Sequence, residues 1–115
     1  MKKVLIIFAG VFILFTTACT SEKAEPLSVG CTTTISYAAD IDTIIVEKCE
    51  SCHAAGGTGT GDFTNFAELK AKVDGGSFKT RVFTLKDMPQ SGSTPLTEAE
   101  MGKLKCWIEQ GAPHN

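Results

Sequence analysis

The chain has 115 residues, 43% of them hydrophobic, with five cysteines and a formal net charge of −2. This length suits one domain, and no internal repeat suggests a solenoid. A weakly acidic chain without a basic face gives no reason to expect nucleic-acid binding.

The amino terminus has the pattern of an export signal. Lys2 and Lys3 precede an apolar run from Val4 to Phe15, and small residues follow it. A basic start, a short apolar core and small residues before a cut are typical of a secretory signal peptide. The run is shorter than the ~20 apolar residues of a membrane-spanning helix. We therefore expect residues 1–18 to be a signal peptide and the domain to be exported.

Cys19 directly follows this segment. Its context resembles the lipobox of bacterial lipoproteins, in which that cysteine is acylated and becomes the new amino terminus. Thr16 departs from the leucine that is usual three positions before the cysteine. The resemblance implies a lipid anchor on Cys19, and cleavage nearby that leaves Cys19 unmodified stays open. The polar residues 19–35 are predicted to be a tether between anchor and domain.

The first predicted helix starts at Ser36, a residue type that favours the N-cap. Apolar side chains then recur at helical spacing: Tyr37, Ile41, Ile44 and Ile45. This periodicity predicts a helix that runs into Cys49.

The sequence Cys49-Glu50-Ser51-Cys52-His53 follows at once. Cys-x-x-Cys-His is the attachment pattern of a c-type haem, in which two thiols bond to the porphyrin edge and the imidazole ligates iron. One helical turn separates the cysteines, so both sulfurs reach neighbouring positions of one flat ring. We therefore predict one covalent haem c on Cys49 and Cys52, with His53 as an iron ligand.

Two other chemistries use Cys-x-x-Cys. A thiol–disulfide exchanger usually carries it at a helix start in a βαβ setting, and a zinc site needs two further ligands. No βαβ pattern surrounds Cys49, and the only other histidine is His114. Both alternatives are less well supported than haem attachment.

A glycine-rich segment, residues 54–61, separates the motif from the next helix. It either lets backbone pass close to the ligand or forms a flexible surface turn. A second helix is predicted from about Thr64 to Asp74, ended by Gly75 and Gly76. Residues 77–85 have no clear period, so helix and extended chain both stay open.

Met88 precedes a turn-rich stretch that extends to Pro95, and the last helix begins with the capping box of Thr97 and Glu100. Met1 leaves with the signal, and Met101 is predicted on the core face of the last helix. Met88 is therefore the methionine in a loop, where its thioether is predicted to ligate iron opposite His53. The alternative role for a loop methionine is to fill a gap in the packing.

Cys31 and Cys106 remain after the other cysteines are assigned. An oxidising compartment favours joining them. Cys106 lies with Ala99 and Gly102 on a strip of small residues that could admit the segment carrying Cys31. Two unbonded thiols are the alternative, because sequence does not show whether the Cα atoms lie close together.

The order helix, Cys-x-x-Cys-His, Met-Pro loop and terminal helix with Trp107-Ile108 resembles the class I cytochromes c of bacteria, over residues 36–113. The resemblance implies an all-α fold of three to four helices wrapped around one haem, with the first and last helices crossing. It implies thioethers at Cys49 and Cys52 and axial ligation by His53 and Met88. It also implies an electron carrier rather than an enzyme.

The same resemblance implies a setting and partners. We expect a monomer tethered through Cys19 to the periplasmic face of a bacterial membrane or to the cell surface. Its partners would be redox proteins, either a respiratory complex or an exported oxidoreductase. The alternatives are a five-coordinate haem enzyme or gas sensor, if Met88 does not bind, and a haem-free thiol–disulfide protein.

Two residues that are usual in the family, a proline and a glycine, are missing from their usual positions in this chain. Many relatives have a proline after the haem motif whose preceding carbonyl accepts the histidine Nδ1–H, and none lies between His53 and Met88. The acceptor is therefore expected elsewhere, with the glycine loop as the candidate. The glycine of the first helix is also missing, so Ala38, Ala39 or Gly102 is expected to permit the helix crossing. Arg81 is a candidate partner for a haem propionate or a solvated surface residue.

Overall fold

The computed structural model describes residues 30–115, so the predicted signal peptide, Cys19 and residues 20–29 of the tether lie outside the described part. The described helices are α1 (Asp42–Lys48), α2 (Glu50–His53), α3 (Phe66–Asp74), α4 (Ser77–Lys79) and α5 (Glu98–Glu109). π-Helical turns at Tyr37–Ile41 and Thr80–Thr84 precede α1 and follow α4. No strand occurs in residues 30–115, which confirms the all-α class, but these residues form five helices where three to four were expected. Within them, no helix is long and apolar enough to span a membrane.

Side-chain caps begin three of the helical segments. The Ser36 hydroxyl accepts the backbone N–H of Ala39 at 3.3 Å, as its predicted N-cap role requires. At α5 the backbone N–H of Thr97 donates to Glu100 Oε2 at 2.7 Å, and the Glu100 N–H donates to Thr97 Oγ1 at 3.2 Å. The predicted capping box is therefore confirmed. α3 begins after Asn65, whose side-chain oxygen accepts the Ala67 N–H at 2.9 Å.

Asn115 completes the start of the first helical segment. The Asn115 side-chain oxygen accepts the Tyr37 N–H at 2.9 Å, and its backbone oxygen accepts the Ala38 N–H at 3.0 Å. The first N–H groups of a helix lack partners within the helix, so Asn115 supplies them from the far end of the chain.

The core lies where the first helical segments and α5 meet α3. Its largest fully buried side chains are Trp107, Ile41, Ile45, Leu69 and Leu104. Full burial of side chains of this size contributes roughly 1.5–3 kcal/mol each. The one polar atom of Trp107 is satisfied, because Nε1 donates to the Pro113 carbonyl at 2.9 Å.

The first and last helical segments pack together, as expected. The rings of Tyr37 and Trp107 lie 5.7 Å apart, and Lys103 Nζ lies 2.9 Å from Asp40 Oδ1 across the contact. The expectation that small residues permit this packing is wrong. Ala38 and Ala39 are exposed, and a Cβ at Gly102 would meet no atom within 4 Å. Large buried side chains fill the contact instead.

The segment before the first helix belongs to the folded domain. Cys31 and Cys106 lie at disulfide-bonding distance, with Cα atoms 5.3 Å apart. Ile35 is buried, and its N–H donates to Gln110 Oε1 at 2.9 Å. Cys31 shares a shallow recess with Ala99 and Gly102, the predicted strip of small residues. Residues 31–35 therefore pack on α5.

Tyr37 gives this core a measurable pH dependence. Burial, followed by the nearby Asp42 carboxylate, raises the pKa of Tyr37 from 10.0 to about 12. Below pH 10 the phenol is neutral in both the folded and the unfolded chain, and its contribution to the free energy of unfolding is fully present. Above that the unfolded chain ionises first, so the free energy of unfolding should fall as the pH rises towards 12.

Tyr37 is the chain's only tyrosine, so tyrosinate absorbance reports it alone. We expect titration near 12 in the folded protein and near 10 in denaturant. Asp42→Asn should lower the folded value. Equal midpoints in folded and unfolded protein would contradict the burial of this hydroxyl.

Candidate functional site

The Cys-x-x-Cys-His motif forms a tight helical turn at the end of α1. The Cys49 N–H still donates to the Ile45 carbonyl of α1 at 2.9 Å. The Cys49 carbonyl in turn accepts the N–H groups of Cys52 at 3.1 Å and of His53 at 2.9 Å. Both cysteines are partly buried and carry no disulfide. The motif therefore follows α1 directly as one further helical turn and offers two thiols.

A cavity of about 380 Å³ lies beside this turn. Its volume falls within the roughly 300–1,000 Å³ of small-molecule sites. Cys49, Cys52, His53 and Met88 all line it, so the structure brings together the four residues that the sequence predicts for the site. The apolar part of the wall comes from α4, α5 and the connecting segments: Phe63, Phe78, Val82, Leu96 and Leu104.

The glycine-rich segment folds back onto the motif. The Gly59 N–H donates to the Cys52 carbonyl at 2.8 Å, and the Phe63 N–H donates to the His53 carbonyl at 2.6 Å. A Cβ at Gly59 would lie 2.5 Å from His53 Nδ1, closer than real Cβ contacts come. Glycine is needed at this position because the backbone lies directly against the imidazole.

This loop also holds the imidazole. His53 Nδ1 lies 3.2 Å from the Thr60 carbonyl oxygen, and the Phe63 ring stacks on the imidazole at a centroid distance of 4.3 Å. A carbonyl only accepts, so this hydrogen bond places the proton on Nδ1 and leaves the Nε2 lone pair for a ligand role. The glycine loop thus contains the expected acceptor. The sequence did not identify Thr60 because hydrogen bonding by a backbone carbonyl leaves no side-chain signal.

Met88 approaches the cavity from the segment after α4. The chain turns at Lys86, which has a φ of +54°, and the Asp87 N–H donates back to the Arg81 carbonyl at 3.1 Å. Met88 and the following Pro89 are partly buried on the cavity wall. Met101, on α5, is also partly buried but does not line the cavity.

The environment of Cys49 differs from that of a reactive thiol. Burial, and secondarily the Glu50 carboxylate, raises the pKa of Cys49 to about 11. Thiol–disulfide exchangers need a thiolate and therefore a lowered thiol pKa. Among the described residues, no three or more His, Cys, Asp or Glu side chains are arranged as a metal site. Neither the exchanger nor the zinc alternative gains support from the geometry.

Comparison with known proteins finds no matching family model, no matching curated protein and no matching solved structure.

Replacing Gly59 tests whether the loop constrains His53. Gly59→Ala places a methyl group within 2.8 Å of three imidazole ring atoms, so the loop or the ring must move. We expect a loss of roughly 1–3 kcal/mol in the free energy of unfolding, the usual range for overpacking. Urea unfolding of the purified domain measures it.

Gly102→Ala is the matched control, because a methyl group there meets open space within α5. Alanine is favoured over glycine inside a helix by roughly 0.5–1 kcal/mol, so this variant should be more stable than the wild type. Equal effects of the two substitutions would mean that the Gly59 backbone does not press on His53.

Proposed function

We propose that this protein carries single electrons on one haem c, attached at Cys49 and Cys52 and ligated by His53 and Met88. The observation that supports this most is the shared cavity, whose wall contains two unbonded thiols, an imidazole and a thioether. These are the donors that a covalently attached, six-coordinate haem requires from a protein.

The residues around the cavity fit that group. Phe63, Phe78 and Leu104 are buried apolar side chains that would cover a flat aromatic ring. The Thr60 carbonyl leaves His53 Nε2 available to iron and increases the basicity of the imidazole. Cys49 and Cys52 would fix the ring through covalent bonds from one helical turn.

When bound, haem c supplies a one-electron Fe(III)/Fe(II) couple. His53 and Met88 would both ligate the iron, so the protein would leave no position there for a substrate. Methionine as an axial ligand favours a positive reduction potential. The apolar part of the wall would limit the access of water to the group and disfavour the extra positive charge of its oxidised state, which would raise the potential further.

The rival functions find less support around the cavity. A haem enzyme needs a distal acid or base beside an open iron position. Apart from His53, the cavity-lining residues within 30–115 include no histidine and no carboxylate, and the arginine among them, Arg81, is paired with Asp87. A thiol–disulfide exchanger needs a reactive thiolate, which the raised pKa of Cys49 opposes.

The proposed setting follows from the sequence of residues 1–19. Export through the signal peptide would bring the chain to the compartment where bacteria attach c-type haem. A lipid on Cys19 would hold it at the membrane, within reach of a respiratory complex or an exported oxidoreductase. The protein would then transfer electrons as a tethered monomer.

Absorption spectra of protein produced in cells with the c-type attachment machinery test the proposal. We expect haem that stays on the chain after denaturation, a sharp low-spin reduced spectrum and a weak far-red band of sulfur–iron ligation when oxidised. Cys49→Ala/Cys52→Ala should lose the covalent haem, whereas Cys31→Ala/Cys106→Ala should keep it. A high-spin spectrum that shifts with carbon monoxide would support the enzyme or sensor, and absence of covalent haem would exclude the proposal.

A further inference from the structure

The charged side chains in the cavity wall are all cations. Its charged side chains in the described part are Lys48, Lys72 and Arg81, whereas aspartate and glutamate are absent from its lining. A cavity with this charge is complementary to a ligand that is apolar over most of its surface and carries negative charge at one edge.

Two of these cations already have carboxylate partners. Arg81 Nε lies 2.7 Å from Asp87 Oδ1 and 2.8 Å from Oδ2. Lys48 Nζ lies 3.6 Å from Glu100 Oε1, on the α1–α5 contact. A haem propionate would therefore have to compete with Asp87 for the Arg81 guanidinium.

Lys72, on α3, differs from both. It is partly buried and forms no ion pair within residues 30–115. A Cβ at Gly61 would lie 3.0 Å from Lys72 Cε and 3.4 Å from the Phe63 ring, so the end of the lysine stem lies close to the glycine loop. The Lys72 ammonium group is therefore not neutralised by a carboxylate of the described residues and is available to an anion in the cavity.

We infer that Lys72 binds a propionate carboxylate of the haem, an inference that depends on the proposed function. Lys72 would be a positioning residue for the cofactor's charged edge, whereas Arg81 would remain paired with Asp87. The other ionisable side chains that line the cavity lie on α1, at its junction with α2, on α2 and in the turn after α4: Lys48, Cys49, Cys52, His53 and Arg81. No ionisable side chain of α5 lines it.

Infrared titration of the haem propionates in the holoprotein tests this inference. A cation within about 4–6 Å lowers a carboxyl pKa by roughly 1–3 units, so Lys72→Gln should raise one propionate pKa by an amount in this range. Lys72→Arg should keep the wild-type value because it retains the charge. Lys70→Gln is the matched control on the same helix, since Lys70 pairs with Asp74 and does not line the cavity.

The inference is overturned if Lys72→Gln titrates like Lys70→Gln, or if Arg81→Gln raises the propionate pKa and Lys72→Gln does not. Failure of the proposed function is seen separately, because wild-type protein without covalent haem shows no haem spectrum before any titration begins. That result would overturn both.

Discussion

Met88→Leu should convert the oxidised holoprotein from low-spin to high-spin and remove its far-red sulfur–iron band. Leucine preserves the volume of the side chain but has no sulfur to ligate iron. Axial ligands set haem potentials over a range of ~0.8 V, so we expect the reduction potential to fall by the order of a few tenths of a volt. Redox titration followed by absorbance measures both changes in one experiment.

Met101→Leu is the control for this substitution. Both methionines are partly buried, but only Met88 lines the cavity with His53. Replacing Met101 on α5 should therefore leave the spectrum and the potential unchanged. If Met88→Leu behaves like Met101→Leu, iron is not bound by Met88, and the five-coordinate haem protein becomes the better interpretation.

Cys31→Ala/Cys106→Ala should destabilise the domain by about 4 kcal/mol in the chain-entropy model, because the bond closes a long loop. The sequence separation between the two cysteines is 75 residues, which encloses nearly all of the helical domain. The bond also fastens residues 31–35 to α5, next to the Ile35–Gln110 hydrogen bond. Guanidinium unfolding of the variant and of the oxidised wild type gives the difference.

Wild-type protein treated with a reductant is the control for the loss of the two thiols themselves. Reduction should lower its unfolding midpoint to that of the double variant, and alkylation followed by mass measurement should then detect Cys31 and Cys106. An unchanged midpoint after reduction would show that the two cysteines are not bonded in the purified protein.

Much of the local structure could be predicted from the sequence, because caps and apolar spacing act over a few residues. Ser36 and the Thr97–Glu100 box begin helices where expected, and Leu69 and Val73 are buried on α3 as their spacing predicts. The candidate site residues could also be predicted. Cys49, Cys52 and His53 form a chemical pattern within five positions, and the turn residues that follow Met88 place it outside the predicted helices.

Contacts between distant segments could be determined only from the tertiary structure. The sequence predicts a helix crossing at small residues. In the structure Ala38 and Ala39 are exposed, a Cβ at Gly102 would meet open space, and larger side chains fill the contact. Periodicity identifies which face of a helix is buried, but it does not identify the partner side chains that fill the contact.

The orientation of His53 and the pairing of the charges in its cavity also depend on contacts that form only in the folded chain. Thr60 contributes a backbone carbonyl, which any residue has, so only the path of the loop shows that it reaches Nδ1. Lys72 and Arg81 look equivalent as sequence, and the ion pair with Asp87 distinguishes them only in the folded chain. The sequence by itself determined which groups are proposed to carry the chemistry, because that proposal depends on residue type and local spacing. The tertiary structure decided which carbonyl orients the imidazole and which cation of the cavity is paired with a carboxylate, because these groups meet only when the chain folds.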